Sequence, residues 1–386
     1  MTHPDADRTL TYLERSKSAP IYVTININPP ATDEALRYLA PHISRMRSCL
    51  INGTDKDAHA FFSHFRNLSP LLRHLEIRTS QYPPTLPTSS SGLSLTPESP
   101  FPNLTEFTLS RQGGAGSFRL NTVFQIVSCS PQLRRIRIST YGMLQETPPD
   151  QIITLESLEE LDYTCRPADR ILPWLRLPRL KLLRVDCSYD LPQEHDLVDI
   201  LPHGGHLLLV GVTKMEYFSD WYSHKVALSG TEVDVSLSVS RSATGPDALL
   251  HWVLDETYIP LGQIKELALE GWSVISKLPF NPFRSLEVLR VHSRDTPTDA
   301  FCRTLYPGAE LACTSLREIR YDCRGSLPAL VNLAKERKKA GHQLGLVWLL
   351  AEREPDQGRV EELREYVGEV RVEIPERSTS IPNESP

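Results

Sequence analysis

The sequence predicts an α/β solenoid, a coil whose parallel strands line the inside of a curve and whose helices lie outside it. Three observations lead there: a short apolar template recurs along the chain, most copies lie 22 to 32 residues apart, and helix-like stretches precede many of them. A chain of 386 residues could hold two ordinary domains or one elongated domain that grows by adding units. The repeat favours the second.

The template is apolar-x-x-apolar-x-apolar, read in LLRHLEI, NLTEFTL, QLRRIRI, SLEELDY, RLKLLRV, QIKELAL, SLEVLRV and SLREIRY. Its first apolar residues are Leu72, Leu104, Leu133, Leu158, Leu180, Ile264, Leu286 and Leu316, at steps of 32, 29, 25, 22, 84, 22 and 30 residues. The 84-residue step is three times 28 and contains two weaker strand-like runs, HLLLVGV around Leu208 and TEVDVSLSV around Val235. Two degenerate units are expected there, and MRSCLI is a further candidate at the front. The last three template residues alternate inward, outward, inward, as a strand with one buried face requires.

Helical stretches ahead of the strands include DKDAHAFFSHF, NTVFQIVSCS, PDALLHWVLD and TDAFCRTLY. Asp55 and Asn121 can cap two of them, and Pro70, Pro131 and Pro178 end the preceding segment just before a strand. Strands joined by helical crossovers run parallel. A single unit cannot bury its own apolar face, so its neighbours must supply the core. Two residues beyond each strand's last apolar position come Thr79, Arg111, Thr140, Cys165, Cys187, Gly271, Ser293 and Cys323, nearly all small. This is the next inward position, where the chain turns under its neighbour and a large side chain would not fit.

The expected order along the chain is a disordered N-terminus over 1–9, a solenoid over 10–327, a C-terminal cap over 328–374 and a disordered tail over 375–386. A serine- and proline-rich loop over 79–100 is expected to be disordered. In the cap, PALVNLAKERKKAGH, GLVWLL, GRVEELREYV and EVRVEI read as helix, strand, helix, strand. Val360, Leu363 and Val367 form the inner stripe of the second helix, and the KERKK run at 335–339 reads as the solvated side of the first.

Composition excludes several classes of function. With 40% hydrophobic residues, 23% charged residues and a net charge of -6, nothing points to a nucleic-acid surface. No apolar run is long enough for a membrane span, and MTHPDADRTL lacks the form of a secretory signal, so the expected location is intracellular, cytoplasmic or nuclear. Seven cysteines without CxxC pairs fit a reducing compartment. The pair Cys165 and Cys187, expected on neighbouring strands, reads as small core residues.

HGGH at 203–206 lacks third and fourth ligands and reads as a turn, so no metal is expected. GGAGS at 113–117 lacks the ending of a phosphate loop. No nucleophile stands beside a base and an orienting group in any recognisable motif, and the expectation is a non-enzymatic protein without a cofactor.

The outward strand residues are then what the chain offers to a partner. The charged ones are His74, Glu76, Glu106, Arg135, Arg137, Glu160, Asp162, Arg184, Glu266, Arg290, Glu318 and Arg320. A row of mixed sign suits recognition of another protein, where complementary charge sets register. A uniformly basic groove would suit a polyphosphate.

LERSKSAPIYVTI near the start, DEALRYLAPHISRMRSCLI after it and the later P-x-L-x-x-L-x-L units together resemble fungal F-box proteins with leucine-rich-repeat-like C-terminal regions. In that family a segment like LERSKSAP directly follows the F-box. The resemblance implies a leucine-rich-repeat-like solenoid that recognises proteins for a cullin-RING ubiquitin ligase. Only nine residues precede Leu10, so the F-box is expected to be missing from this chain, which would meet a Skp-type adaptor only if that module were restored. Two alternatives stand beside this reading: a leucine-rich scaffold or inhibitor unrelated to ubiquitination, and an enzyme with an unrecognised site.

Overall fold

The computed structural model describes residues 4–26, 32–53, 70–80, 101–112, 120–139, 152–164, 171–187, 209, 211–219, 223–240, 254, 259–271, 278–292, 302, 305, 312–322, 327–351 and 353–374. The chain is α/β: 15 strands of mostly parallel sheet dominate, and helices are few among the described residues. It divides into two compact units, Met1–Leu208 with Val235–Ala248, and Leu209–Asp234 with Leu249–Pro386.

The first unit begins with helix α1 (Pro4–Arg15), strand β1 (Ile21–Asn26) and helix α2 (Thr32–Leu39). There follow β2 (Met46–Gly53), β3 (His74–Ser80), β4 (Glu106–Gln112), α3 (Leu120–Ser128) and β5 (Arg135–Ser139). Next come β6 (Ile153–Thr154), β7 (Glu160–Thr164), β8 (Leu175–Arg176) and β9 (Leu182–Cys187). The second unit starts with β10 (Val212–Ser219) and β11 (Ser223–Gly230), before β12 (Asp234–Ser240) adds a strand to the first. It continues through β13 (Glu266–Gly271), β14 (Val288–His292), β15 (Glu318–Asp322), α4 (Leu327–Lys339), β16 (Leu346–Leu350), α5 (Gln357–Tyr366) and β17 (Glu369–Glu373).

In the first unit the strand order is β1-β2-β3-β4-β5-β7-β9-β12, and in the second it is β11-β10-β13-β14-β15-β16-β17. From β1 to β9 each neighbour pair in that order is parallel, as is each pair from β10 through β13 to β17. The strands β6 and β8 form a separate small parallel sheet.

Register explains why the template recurs. Leu75, Phe107, Ile136, Leu161 and Leu183 share one level of the first unit, and Ile77, Leu109, Ile138, Tyr163 and Val185 another. All of them are buried. Leu72, Leu104, Leu133, Leu158 and Leu180, which open the same copies, are buried as well. Each such side chain contributes about 1.5–3 kcal/mol on full burial, but only when the strand beside it supplies the matching residue. One copy therefore has little reason to fold without its neighbours.

The turn between α1 and β1 is tied down by Arg45. Its guanidinium donates to the carbonyls of Leu13 at 3.1 Å and Ala19 at 3.4 Å, to the Ser16 hydroxyl at 3.0 Å and to the Lys17 carbonyl. The LERSKSAP stretch is thus a carbonyl-rich bend closed around one cation, and Lys17 adopts φ 47° within it. Helix α1 starts at Pro4, so residues 4–9 are helical where the sequence suggests disorder. A proline at the first helical position forfeits no hydrogen bond, which makes it a suitable opening.

The segment between Leu180 and Ile264 departs from expectation. Most of the HLLLVGV run around Leu208 lies outside the described residues; β10 starts at its last residue, Val212, and Val212, Met215 and Tyr217 are its buried template residues. TEVDVSLSV does supply β12, while β11 was not anticipated at all. It pairs antiparallel with β10, because residues 220–222 are too few for a crossover.

The template also runs on into the C-terminal segment expected to be a cap. Leu344, Val347 and Leu349 occupy its three apolar positions on β16, and Val367, Val370 and Val372 occupy them on β17. Both strands extend the parallel register instead of only covering its end. Val360, Leu363 and Val367 are buried, as the α5 pattern requires. Asp356 caps that helix by accepting from the Gly358 and Arg359 amides.

Within KERKK the reading needs correcting at Arg337, which is 0% exposed. It falls on the buried stripe of α4 with Leu330, Leu333 and Ala334, at helical spacing, and donates to the carbonyls of Ala312, Cys313 and Leu316 at 3.1, 2.9 and 3.2 Å. Lys335, Lys338 and Lys339 remain on the exposed side.

Of the small positions that end the strands, Thr79, Cys187 and Gly271 are described, and all are buried. Gly271 has φ +122°, and a Cβ added there would lie 2.1 Å from the Ser219 carbonyl oxygen on β10. Thr79 and Ser80 end β3, and the rest of the 79–100 loop lies outside the described residues. So do Asp55, HGGH, GGAGS, Thr140, Cys165, Ser293, Cys323 and the 375–386 tail.

Candidate recognition surface

Alternation places every one of the twelve charged strand residues at an exposed or half-buried position, each beside at least one buried neighbour. In the first unit they form two rows across the strands. His74, Glu106, Arg135, Glu160 and Leu182 share one level, and Glu76, Thr108, Arg137, Asp162 and Arg184 share the next. Residues up to 110 positions apart in sequence, from His74 to Arg184, thereby come onto one face.

Much of the first row is neutralised internally. Arg135 grips Glu160 through Nε at 2.5 Å and Nη2 at 2.8 Å, while its Nη1 reaches Glu106 at 3.2 Å. Glu106 also meets His74 Nδ1 at 3.1 Å. In the second row Arg78 holds Glu76 from the same strand at 2.6 Å. Among the described residues Arg137, Asp162 and Arg184 form no side-chain ion pair, and Arg137 and Arg184 are exposed.

The hydrogen bond from Arg135 is the main cause that holds the Glu160 carboxyl below its ordinary 4.5; the charges of Arg135, Arg137 and Arg184 act the same way, and partial burial opposes them. A carboxyl with a depressed folded pKa gives stability that is present above its unfolded pKa and is lost as pH falls through the folded value. Glu160→Gln should therefore flatten the acid side of the stability profile below pH ~4.5. At neutral pH it should cost less than about 1 kcal/mol, since the pair is partly solvated. Urea titrations of both proteins at a series of pH values test this, and parallel acid limbs would count against it.

The second unit has its own rows. Glu266, Val288, Glu318, Leu346 and Glu369 share one level, and Ala268, Arg290, Arg320, Trp348 and Arg371 the next. Arg290 reaches Glu266 at 3.3 Å, Arg320 Nε donates to Glu318 at 2.6 Å, and Arg371 holds Glu369 at 2.7 and 3.2 Å. The Arg320 guanidinium stacks 4.5 Å from the Trp348 ring centroid, with Arg371 at 5.9 Å. The sequence reading missed Trp348, Glu369 and Arg371 as row members. The signal lies in GLVWLL and EVRVEI, which carry the same alternation as the template strands.

Burial pushes the Cys49 and Cys313 thiols up to about 12. Among the described residues no group of three or more His, Cys, Asp or Glu is placed to hold a metal ion, and no helix is long and apolar enough to cross a membrane. No protein-family model matches the chain, and no curated protein matches it.

Proposed function

We propose that this chain is a non-enzymatic protein-recognition solenoid of leucine-rich-repeat type, acting inside the cell, whose outward strand rows meet a protein partner. One observation supports the reading above all. Successive template copies pair in sequence order, in parallel and in a single register, so that charged residues from distant segments line up across each unit. Such a face is laid out by the repeat itself, and its mixed charge suits a protein surface better than a polyanion. The resemblance to the substrate-recognition region of F-box subunits supplies a role, selection of a protein for ubiquitination.

Arg137 and Arg184 are the residues to test, because neither is engaged in an ion pair among the described residues. Arg135 is less suited, since its reversal would also disrupt the Glu106 and Glu160 contacts. Affinity capture with crosslinking should recover a protein joined to the strand face. The double variant R137E/R184E should weaken that complex at least tenfold while shifting Tm by less than about 2 °C, as surface changes do. Unaltered binding of a crosslinked partner would remove the strand rows from the interface.

A further inference from the structure

The level just before the outward rows carries a different charge pattern. Main-chain bonds align it: the Arg73 amide donates to the Arg47 carbonyl, Thr105 to Arg73, Arg134 to Thr105, Glu159 to Arg134 and Lys181 to Glu159. This level therefore runs Arg47, Arg73, Thr105, Arg134, Glu159, Lys181 along the strand entrances of β2, β3, β4, β5, β7 and β9. Arg73 and Arg134 are exposed and Arg47 is half-buried, and none of the three has an ion-pair partner among the described residues.

Nearby acids do little to cancel them. Glu159, the one acid on the level, lies 3.4 Å from Lys181. Glu106 is shared by His74 and Arg135, and Glu160 is held by Arg135. In a chain of net charge -6, three aligned cations with no assigned acid stand apart from their surroundings.

We infer that this arginine rim, Arg47, Arg73 and Arg134, binds an acidic segment of the protein partner, with carboxylates meeting the guanidinium groups. The inference rests on the protein-recognition reading and adds the chemistry of the partner. Three strand spacings of ~4.8 Å put the ends of the rim about 14 Å apart, a span covered by roughly four or five residues of extended chain. Arginine suits the task because its planar donor fork matches a carboxylate. Nucleic acid fits less well: three contacts fall short of the 6–10 phosphates typical of such interfaces, and Glu76, Glu106, Glu160 and Asp162 stand on the adjoining rows.

A fluorescein-labelled octaglutamate peptide, a glycine-serine peptide of equal length and a labelled single-stranded DNA serve as probes in anisotropy titrations at low salt. The full chain should bind octaglutamate over the glycine-serine control, and binding should weaken steeply as salt rises. R47E/R73E/R134E should lower the affinity at least tenfold. The neutral variant R47Q/R73Q/R134Q should give a smaller loss and guards against a fold disturbed by reversal, while R317E, in the second unit, should change nothing. Equal octaglutamate binding by the wild-type and reversed chains overturns the inference, as does a wild-type chain that does not distinguish the two peptides. So does DNA that binds more tightly than octaglutamate and depends on the same three arginines. If the captured protein partner is lost on R137E/R184E but kept by R47E/R73E/R134E, the rim assignment fails while the recognition reading stands.

Discussion

Arg337→Met is expected to destabilise the second unit by about 3–5 kcal/mol. The guanidinium is fully buried and donates to three main-chain carbonyls from a segment, 312–316, that has no regular structure of its own. Hydrogen bonds to charged donors contribute about 1.5–3 kcal/mol each, and acceptors left buried without a partner carry the full desolvation penalty. Burial lowers the Arg337 pKa only to about 10, so the group stays cationic at neutral pH. Methionine keeps much of the aliphatic volume but supplies no donor. Lysine would keep the charge while losing the fork that serves three acceptors, so Arg337→Lys should fall between wild type and Arg337→Met. Urea midpoints followed by tryptophan fluorescence, with Trp348 in the same unit, would show the order. A loss below about 1 kcal/mol for Arg337→Met, the size of an exposed substitution, would mean that the segment is held by other contacts.

Gly271→Ala should cost about 2–4 kcal/mol, an unusual amount for one added methyl group. Two effects combine. The backbone at φ +122° is one that side chains rarely adopt, and the new Cβ would meet the Ser219 oxygen at 2.1 Å, a main-chain atom that cannot rotate away. Ser219 and Gly271 are register partners at the end of the β10–β13 ladder, so relief requires the two strands to part there. Gly262→Ala is the control, because its nearest new contact is an ordinary 3.8 Å. Similar losses for the two variants would assign the effect to general glycine replacement and not to this close approach.

The parts of the fold that could be read from sequence are those in which side-chain chemistry repeats in step with geometry. Leucine, isoleucine and valine at the three apolar template positions identify β3, β5, β9 and β14 with little ambiguity, because only a strand beside another strand buries that spacing. Reading failed where the position stayed but the residue changed. Met215 and Tyr217 fill the two buried strand levels of β10 with less conspicuous side chains. On β16 and β17 the template is present, but their place just before the tail, where a solenoid end needs a covering, favours reading them as a cap. Arg337 shows a different failure: charge suggested solvent, whereas helical spacing from Leu330 and Ala334 pointed inward, and the acceptors that decide the matter lie more than 20 residues away in sequence. The candidate surface was legible as a set of outward residues. Which of them neutralise one another depends on rotamers and cross-strand reach, so the engagement of Arg135 and the unassigned charge of the arginine rim emerge only in three dimensions.

The antiparallel pairing of β10 and β11 also bears on how quickly this chain can organise itself. Only residues 220–222 separate the two strands, whereas β14 follows β13 after residues 272–287. Loop-closure entropy rises with the logarithm of length, so the longer link costs roughly 1.5 kcal/mol more to close. A hairpin of this kind forms in about 1–10 μs. This reversal of direction thus gives the second unit a local seed, a preformed edge on which β13 can add along β10.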